Sequence, residues 1–137
     1  MSKECKRGEF KTVNGIRKAN AERNDQWFSP DTMAWWSGTV SEKLHGGCMF
    51  VSSEKPPGGT RGYTIRVALA DGEIESVTEL RHFRRKADAE NAATCLVPIL
   101  KKFPEECPST YHREGEFAEE IEKVLSAYVD HSAVGLP

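Results

Sequence analysis

No apolar run in this 137-residue sequence approaches the roughly 20 residues that cross a bilayer, so no membrane-spanning helix is expected. Residues 1–23 are polar and lack the apolar segment of a signal peptide, which points to the cytoplasm. The four cysteines, Cys5, Cys48, Cys95 and Cys107, form no C-x-x-C pair and are too sparse for a disulfide scaffold; reduced thiols follow. Proline and glycine are spread without a linker-like concentration, so one domain over 16–129 is expected, between a basic stretch 1–15 and a tail 130–137.

Catalytic and metal motifs are equally scarce. Pro56-Pro57-Gly58-Gly59 has neither the lysine nor the following helix of a phosphate-binding loop, and reads as a hairpin connection. His45-Gly46-Gly47-Cys48 pairs a base with a thiol, but nothing orients the base and no nucleophile elbow is present. Cys95, Cys107 and His112 fit no zinc-ligand spacing. No catalytic residue, metal or cofactor is therefore assigned.

What the sequence does have is a clear hairpin. In the stretch 63–80, Tyr63-Thr64-Ile65-Arg66-Val67-Ala68-Leu69 alternates at the two-residue period of a half-buried strand, and Asp71-Gly72 suits a two-residue type I′ turn. That loop would set Leu69 opposite Ile74, Val67 opposite Ser76, Ile65 opposite Thr78 and Tyr63 opposite Leu80. Arg66 would then lie diagonal to Glu75 and Glu79 on the outer face. A preceding strand, Cys48-Met49-Phe50-Val51-Ser52-Ser53, pairs antiparallel with it across the Pro/Gly connection.

Helices flank this meander. The stretch 16–23 has helical composition. In Phe28-Ser29-Pro30-Asp31-Thr32-Met33, Ser29 suits an N-cap, Pro30 the first turn, and Phe28 with Met33 a hydrophobic staple; a short helix from Pro30 to Trp36 or Ser37 is expected. Trp35 and Trp36 would project about 100° apart, so that either both rings tuck against the sheet as core or one does and the other is half exposed and able to anchor a partner. The stretch 87–100 carries Ala89, Ala92, Ala93, Leu96 and Leu100 on one helical face, with a kink or end near Val97 because Pro98 lacks an amide. The stretch 115–129 gathers Phe117, Ile121, Val124, Leu125 and Tyr128 on one side, to be covered in the same chain or in a homodimer. The expected fold is α+β: a two-layer, three-stranded antiparallel meander with a short N-terminal helix and two C-terminal helices.

Charge is uneven although the net value is only −2. Residues 1–24 hold seven Lys/Arg against three acids, and residues 105–137 hold two against eight. The densest basic run is Arg81-His82-Phe83-Arg84-Arg85-Lys86, four permanent charges within six residues. Arg81, Arg84, Arg85 and Lys86 form either a candidate phosphate contact, with Phe83 stacking on a base, or a solvated charged connection with Phe83 turned inward.

Two resemblances follow from these motifs. The order α-β-β-β-α with Lys86-Ala87-Asp88-Ala89-Glu90-Asn91-Ala92-Ala93 resembles the end of a double-stranded-RNA-binding domain, although Ala87 and Glu90 stand where that family has lysines. The succession Ile16-Arg17-Lys18-Ala19-Asn20, Phe28-Ser29-Pro30-Asp31-Thr32-Met33, Gly46-Gly47, Phe50-Val51-Ser52-Ser53-Glu54, Tyr63-Thr64-Ile65-Arg66 and Asp71-Gly72-Glu73-Ile74 resembles small proteins of unknown function encoded by bacteriophages and other mobile elements. That likeness implies a provenance and a fold but no chemistry; together with the lack of a catalytic set it leads to the expectation of a non-enzymatic accessory protein in a bacterial host cell, binding a host or phage protein with Trp35 or Trp36 as the candidate anchor. The alternative is a nucleic-acid-binding module using the basic run.

Overall fold

The computed structural model describes residues 13–22, 28, 34–39, 48–69 and 73–128, giving the backbone alone for 13 and 34–39. Among these residues the order is α1 (Val13–Ala21), β1 (Ala34–Thr39), β2 (Cys48–Glu54), β3 (Gly62–Ala68), β4 (Ile74–Ser76), α2 (Lys86–Lys102) and α3 (Gly115–Ala127). The strands form one antiparallel sheet in sequence order. The class is α+β, and the expected three-stranded meander is β2–β3–β4.

A fourth strand extends it. Residues 34–36, expected to end a helix, lie in β1, where Trp35 pairs with Phe50 at the sheet edge. The capping residues Ser29, Pro30 and Asp31 lie outside the described residues. Aromatic residues followed by Thr39 suit a pleated strand as well as a short helix, and pairing with β2 settles the choice.

The hairpin register also differs by one residue. Ala68 pairs with Ile74, Val67 with Glu75 and Arg66 with Ser76, while the Leu69 amide donates to the Glu73 carbonyl (2.7 Å). Three residues, 70–72, therefore connect the strands where Asp71-Gly72 alone was expected. A one-residue shift exchanges the faces of the second strand. Val77, not Thr78, takes the core position beside Ile65, and its amide donates to the Ile65 carbonyl (2.8 Å).

Both sheet faces are covered. On one, Met49, Val51, Ile65, Val67 and Leu69 meet Ala89, Ala92, Ala93, Leu96 and Leu100 of α2 and Phe117, Ile121 and Leu125 of α3. The alanines let α2 lie close to the strands. The apolar face of α3 is thus used within the chain. On the other face, Cys48, Phe50 and Ala68 meet Ile16 and Ala19 of α1 and Phe28, so α1 adds a layer to the expected two. Asn20 fixes that layer by donating to the Phe28 carbonyl (2.8 Å).

Pro98 does not end α2, which runs on to Lys102. The proline is exposed, so the Thr94 carbonyl that loses its amide partner is on the wet side, and the turn beyond it buries Leu100. The connection 56–59 is a turn closed by the Gly59 amide on the Pro56 carbonyl (2.9 Å), with Pro57 second and Gly58 third at φ 74°, where only glycine is unstrained.

Candidate nucleic-acid interface

The basic run follows an unusual exit from the sheet. Val77 still pairs with Ile65, and the chain returns to β3 at Phe83, whose amide and carbonyl both bond to Tyr63 (3.1 and 2.8 Å). Residues 78–82 therefore stand opposite the single residue Thr64. Phe83 is fully buried in the main core, so it is not available to stack on a base. The expected pairing of Tyr63 with Leu80 is replaced, and Leu80 is about half exposed.

Arg81 sits at the crest of this excursion with φ 57°, the one non-glycine residue at positive φ among the described residues. For an L-residue this region costs about 1–2 kcal/mol. Its amide donates to Thr64 Oγ1 (2.9 Å), and its Cβ lies against Gly62, where an added Cβ would come within 2.5 Å. Only a glycine at 62 lets the two backbones approach this closely.

Thr64 belongs to a network on the same sheet face. Its hydroxyl donates to Glu54 Oε1 (2.8 Å), and Glu54 Oε2 accepts from Ser52 (2.7 Å) and Arg66 Nη2 (2.8 Å). Arg66 also donates through Nε to Ser52 Oγ (2.7 Å) and through Nη1 to Ser76 Oγ (3.0 Å), and its guanidinium lies 5.6 Å from the Phe28 ring centre. The shifted register explains this arrangement: it places Ser76, not Val77, beside Arg66. The expected diagonal pairing with Glu75 and Glu79 is replaced by this enclosed set.

The fold adds a residue that the linear run does not contain. Arg61, at the end of the β2–β3 connection, donates through Nη1 to Ser53 Oγ (2.9 Å) and joins Thr60, Gly62, Arg81 and Arg84 around an open depression of about 190 Å³. Sequence reading missed Arg61 because it adjoins Arg81 only through the Tyr63–Phe83 bridge. Arg85 and Lys86 continue the charge onto the start of α2, Arg85 as an extended N-cap and Lys86 as the first helical residue. The positive end of a helix dipole opposes such charges, by about 0.3–1 kcal/mol each. Asp88 is the sole acid in that first turn. Arg81, Arg84, Arg85 and Lys86 are all exposed, and neither Arg81, Arg85 nor Lys86 has an ion pair among the described residues. Of the four predicted basic residues, Arg81 and Arg84 line the depression, and Arg85 and Lys86 follow at the start of α2.

The chain belongs to a family of unknown function. The match, to the family designated DUF7447, covers residues 12–94 and so includes all four strands, the arginine-lined depression and most of α2. No curated protein and no solved structure matches the chain. Membership in DUF7447 assigns no chemistry to any residue, and the site stands on geometry alone.

Other candidate residues are separate from this arginine-lined depression. Trp35 and Trp36 lie on β1, at the far edge of the sheet from β4. Cys48 is buried in β2, and desolvation pushes its thiol up to about 12, which leaves it protonated and non-nucleophilic at neutral pH. His45 lies outside the described residues. Cys95 is exposed on α2 with Sγ 3.2 Å from Tyr128 Oη. Among the described residues no three His, Cys, Asp or Glu side chains are arranged to hold a metal, and no helix is long and apolar enough to cross a membrane. His82, beside Arg81, is half-buried; its Nε2 is enclosed without a hydrogen-bond partner, and burial lowers its pKa against the opposing pull of Glu122 and Glu79.

Proposed function

We propose that the protein is a small, non-enzymatic nucleic-acid-binding module that grips the phosphate backbone with Arg61, Arg81, Arg84, Arg85 and Lys86. One observation carries this reading: the fold brings Arg61 from a hairpin connection to Arg81 and Arg84 around a single depression, and continues the charge onto a helix start where it opposes the dipole. Arginine forks match phosphate oxygens in two-point geometry. The burial of Phe83 removes the ring of the basic run from base stacking, which favours backbone contacts over base recognition.

The test is fluorescence anisotropy with labelled duplex DNA and duplex RNA across a salt series. Five phosphate contacts give a slope of log K against log salt of about −4 to −5 on B-form DNA. Replacing Arg81, Arg84, Arg85 and Lys86 together by alanine should abolish binding at about 100 mM salt. A complex indifferent to salt, or unchanged in the fourfold variant, would refute the reading.

A second reading retains the tryptophans. Edge strands accept an added strand from a partner, and Trp35 and Trp36 stand on edge strand β1. With the likeness to phage and mobile-element proteins, this supports an accessory protein that binds a host or phage protein inside a bacterial cell. A protein captured after nuclease treatment by the native chain, and lost on Trp35→Ala or Trp36→Ala, supports it; capture unaffected by either change refutes it.

A further inference from the structure

We infer that Arg81 is the anchor for one backbone phosphate at the depression, and that Gly62, Thr64 and Glu54 are positioning residues that hold it there. This rests on the nucleic-acid reading above.

Arg81 occupies the left-handed backbone region, where glycine or asparagine is the less strained residue. Strain of this kind persists only where surrounding structure over-determines it, and it concentrates at functional positions. Here the surroundings are identifiable. Thr64 Oγ1 takes the Arg81 amide, Glu54 takes the Thr64 hydroxyl proton and so fixes which way that oxygen's lone pairs face, and Gly62 leaves room for Arg81 Cβ. None of these contacts uses the guanidinium. The backbone of residue 81 is thus tightly held, while its charged end, which no ion pair engages among the described residues, lines the depression with Arg61 and Arg84. A turn with a purely structural role gains nothing from arginine at this position. A phosphate site gains a two-point donor whose approach direction is set by the backbone.

The test compares the full-length wild type with Arg81→Gly, Arg85→Ala, Thr64→Val, Thr64→Ser and Gly62→Ala, using a labelled 20-base-pair duplex for binding and thermal melting for stability. Arg81→Gly should leave Tm unchanged or raise it by up to about 4 °C, because relief of strain offsets the added freedom of the unfolded chain. The same change should weaken binding about tenfold and reduce the salt slope by about 1, more than Arg85→Ala does in affinity. Thr64→Val keeps every charge yet should weaken binding several-fold, and Thr64→Ser should restore it. Gly62→Ala forces Arg81 aside and should behave like Thr64→Val.

The outcomes separate the two ideas. Tight, salt-dependent binding by Arg81→Gly, or a Tm well below wild type, would overturn the anchor while leaving the nucleic-acid reading intact. Failure of the wild type to bind either duplex would remove that reading and the anchor with it.

Discussion

Replacing Arg66 by alanine is expected to be among the most damaging single changes on the sheet. The guanidinium uses all three of its nitrogens, on Ser52, Ser76 and Glu54, and lies against the Phe28 ring. Hydrogen bonds involving a charged group contribute roughly 1.5–3 kcal/mol each, but members of one network are not additive. Breaking an enclosed ion pair costs about 3–5 kcal/mol because the remaining charge is left uncompensated. Here the side chains retain 9% and 16% exposure, so water reaches the Glu54 carboxylate in part and the lower end applies. A loss of about 3 kcal/mol corresponds to roughly 10 °C in Tm and about 2 M in the urea midpoint for a chain of this length. Urea unfolding followed by circular dichroism gives the number directly. Pairing Arg66→Met with Glu54→Leu should recover most of it, since an apolar pair of similar volume avoids both desolvation terms. A cost below about 1 kcal/mol for Arg66→Ala would show that the pair behaves as a surface salt bridge, and the account of the network would fail.

Two further expectations concern ionisable groups. His82 has a folded pKa held below its ordinary 6.5 by burial, so just below that pH the unfolded chain binds more protons than the folded one; stability is full above it and declines as pH falls through the folded value. Glu79 and Glu122 oppose the shift, with Arg113 bonded to Glu122, and burial still prevails. Urea midpoints at about pH 7.5 and about pH 5.5 should differ less in His82→Leu than in the wild type; parallel differences would sink this assignment. Alkylation of the native protein by iodoacetamide at about pH 8 should label exposed Cys95 and spare Cys48 until denaturant is added. Equal labelling rates for the two would contradict the burial of β2.

The elements that were legible in the sequence are those whose apolar period is matched by a single partner surface. Ala89, Ala92, Ala93, Leu96 and Leu100 mark one face of α2, and Phe117, Ile121 and Leu125 one face of α3; all are buried. The β2–β3 pair was equally plain, since a short apolar run and an alternating strand flank one Pro/Gly turn. Three features were not legible, each for a tertiary reason. Residues 34–36 follow a helix-start signal, yet they pair with β2, because a sheet edge offers more than one isolated turn of helix can. Pro98 removes an amide bond but leaves the exposed side of α2 to water, so burial of Leu100 carries the helix through. Arg61 is separated from Arg81 by twenty positions of chain and meets it only after the strands have paired.

The register of the β3–β4 hairpin connects these points to the site. With Asp71-Gly72 as the whole loop, Thr78 would face Ile65 and the ladder would run on to Leu80, leaving Arg81 at an ordinary strand end. In the observed register Val77 takes the core position and the next apolar residue able to close the core is Phe83, six residues on. Bringing Phe83 back to Tyr63 obliges residues 78–82 to cross a gap spanned on β3 by Thr64 alone, and the crossing leaves Arg81 in the left-handed region against Gly62. Burial of a phenylalanine is worth about 2–3 kcal/mol, against about 1–2 for the strained backbone, so the balance favours the excursion. Core closure therefore explains why the chain loops outward at this point. It does not explain an arginine at the crest, which a glycine or asparagine would occupy with less strain; the proposed phosphate anchor accounts for that choice, since Arg81 lines the depression.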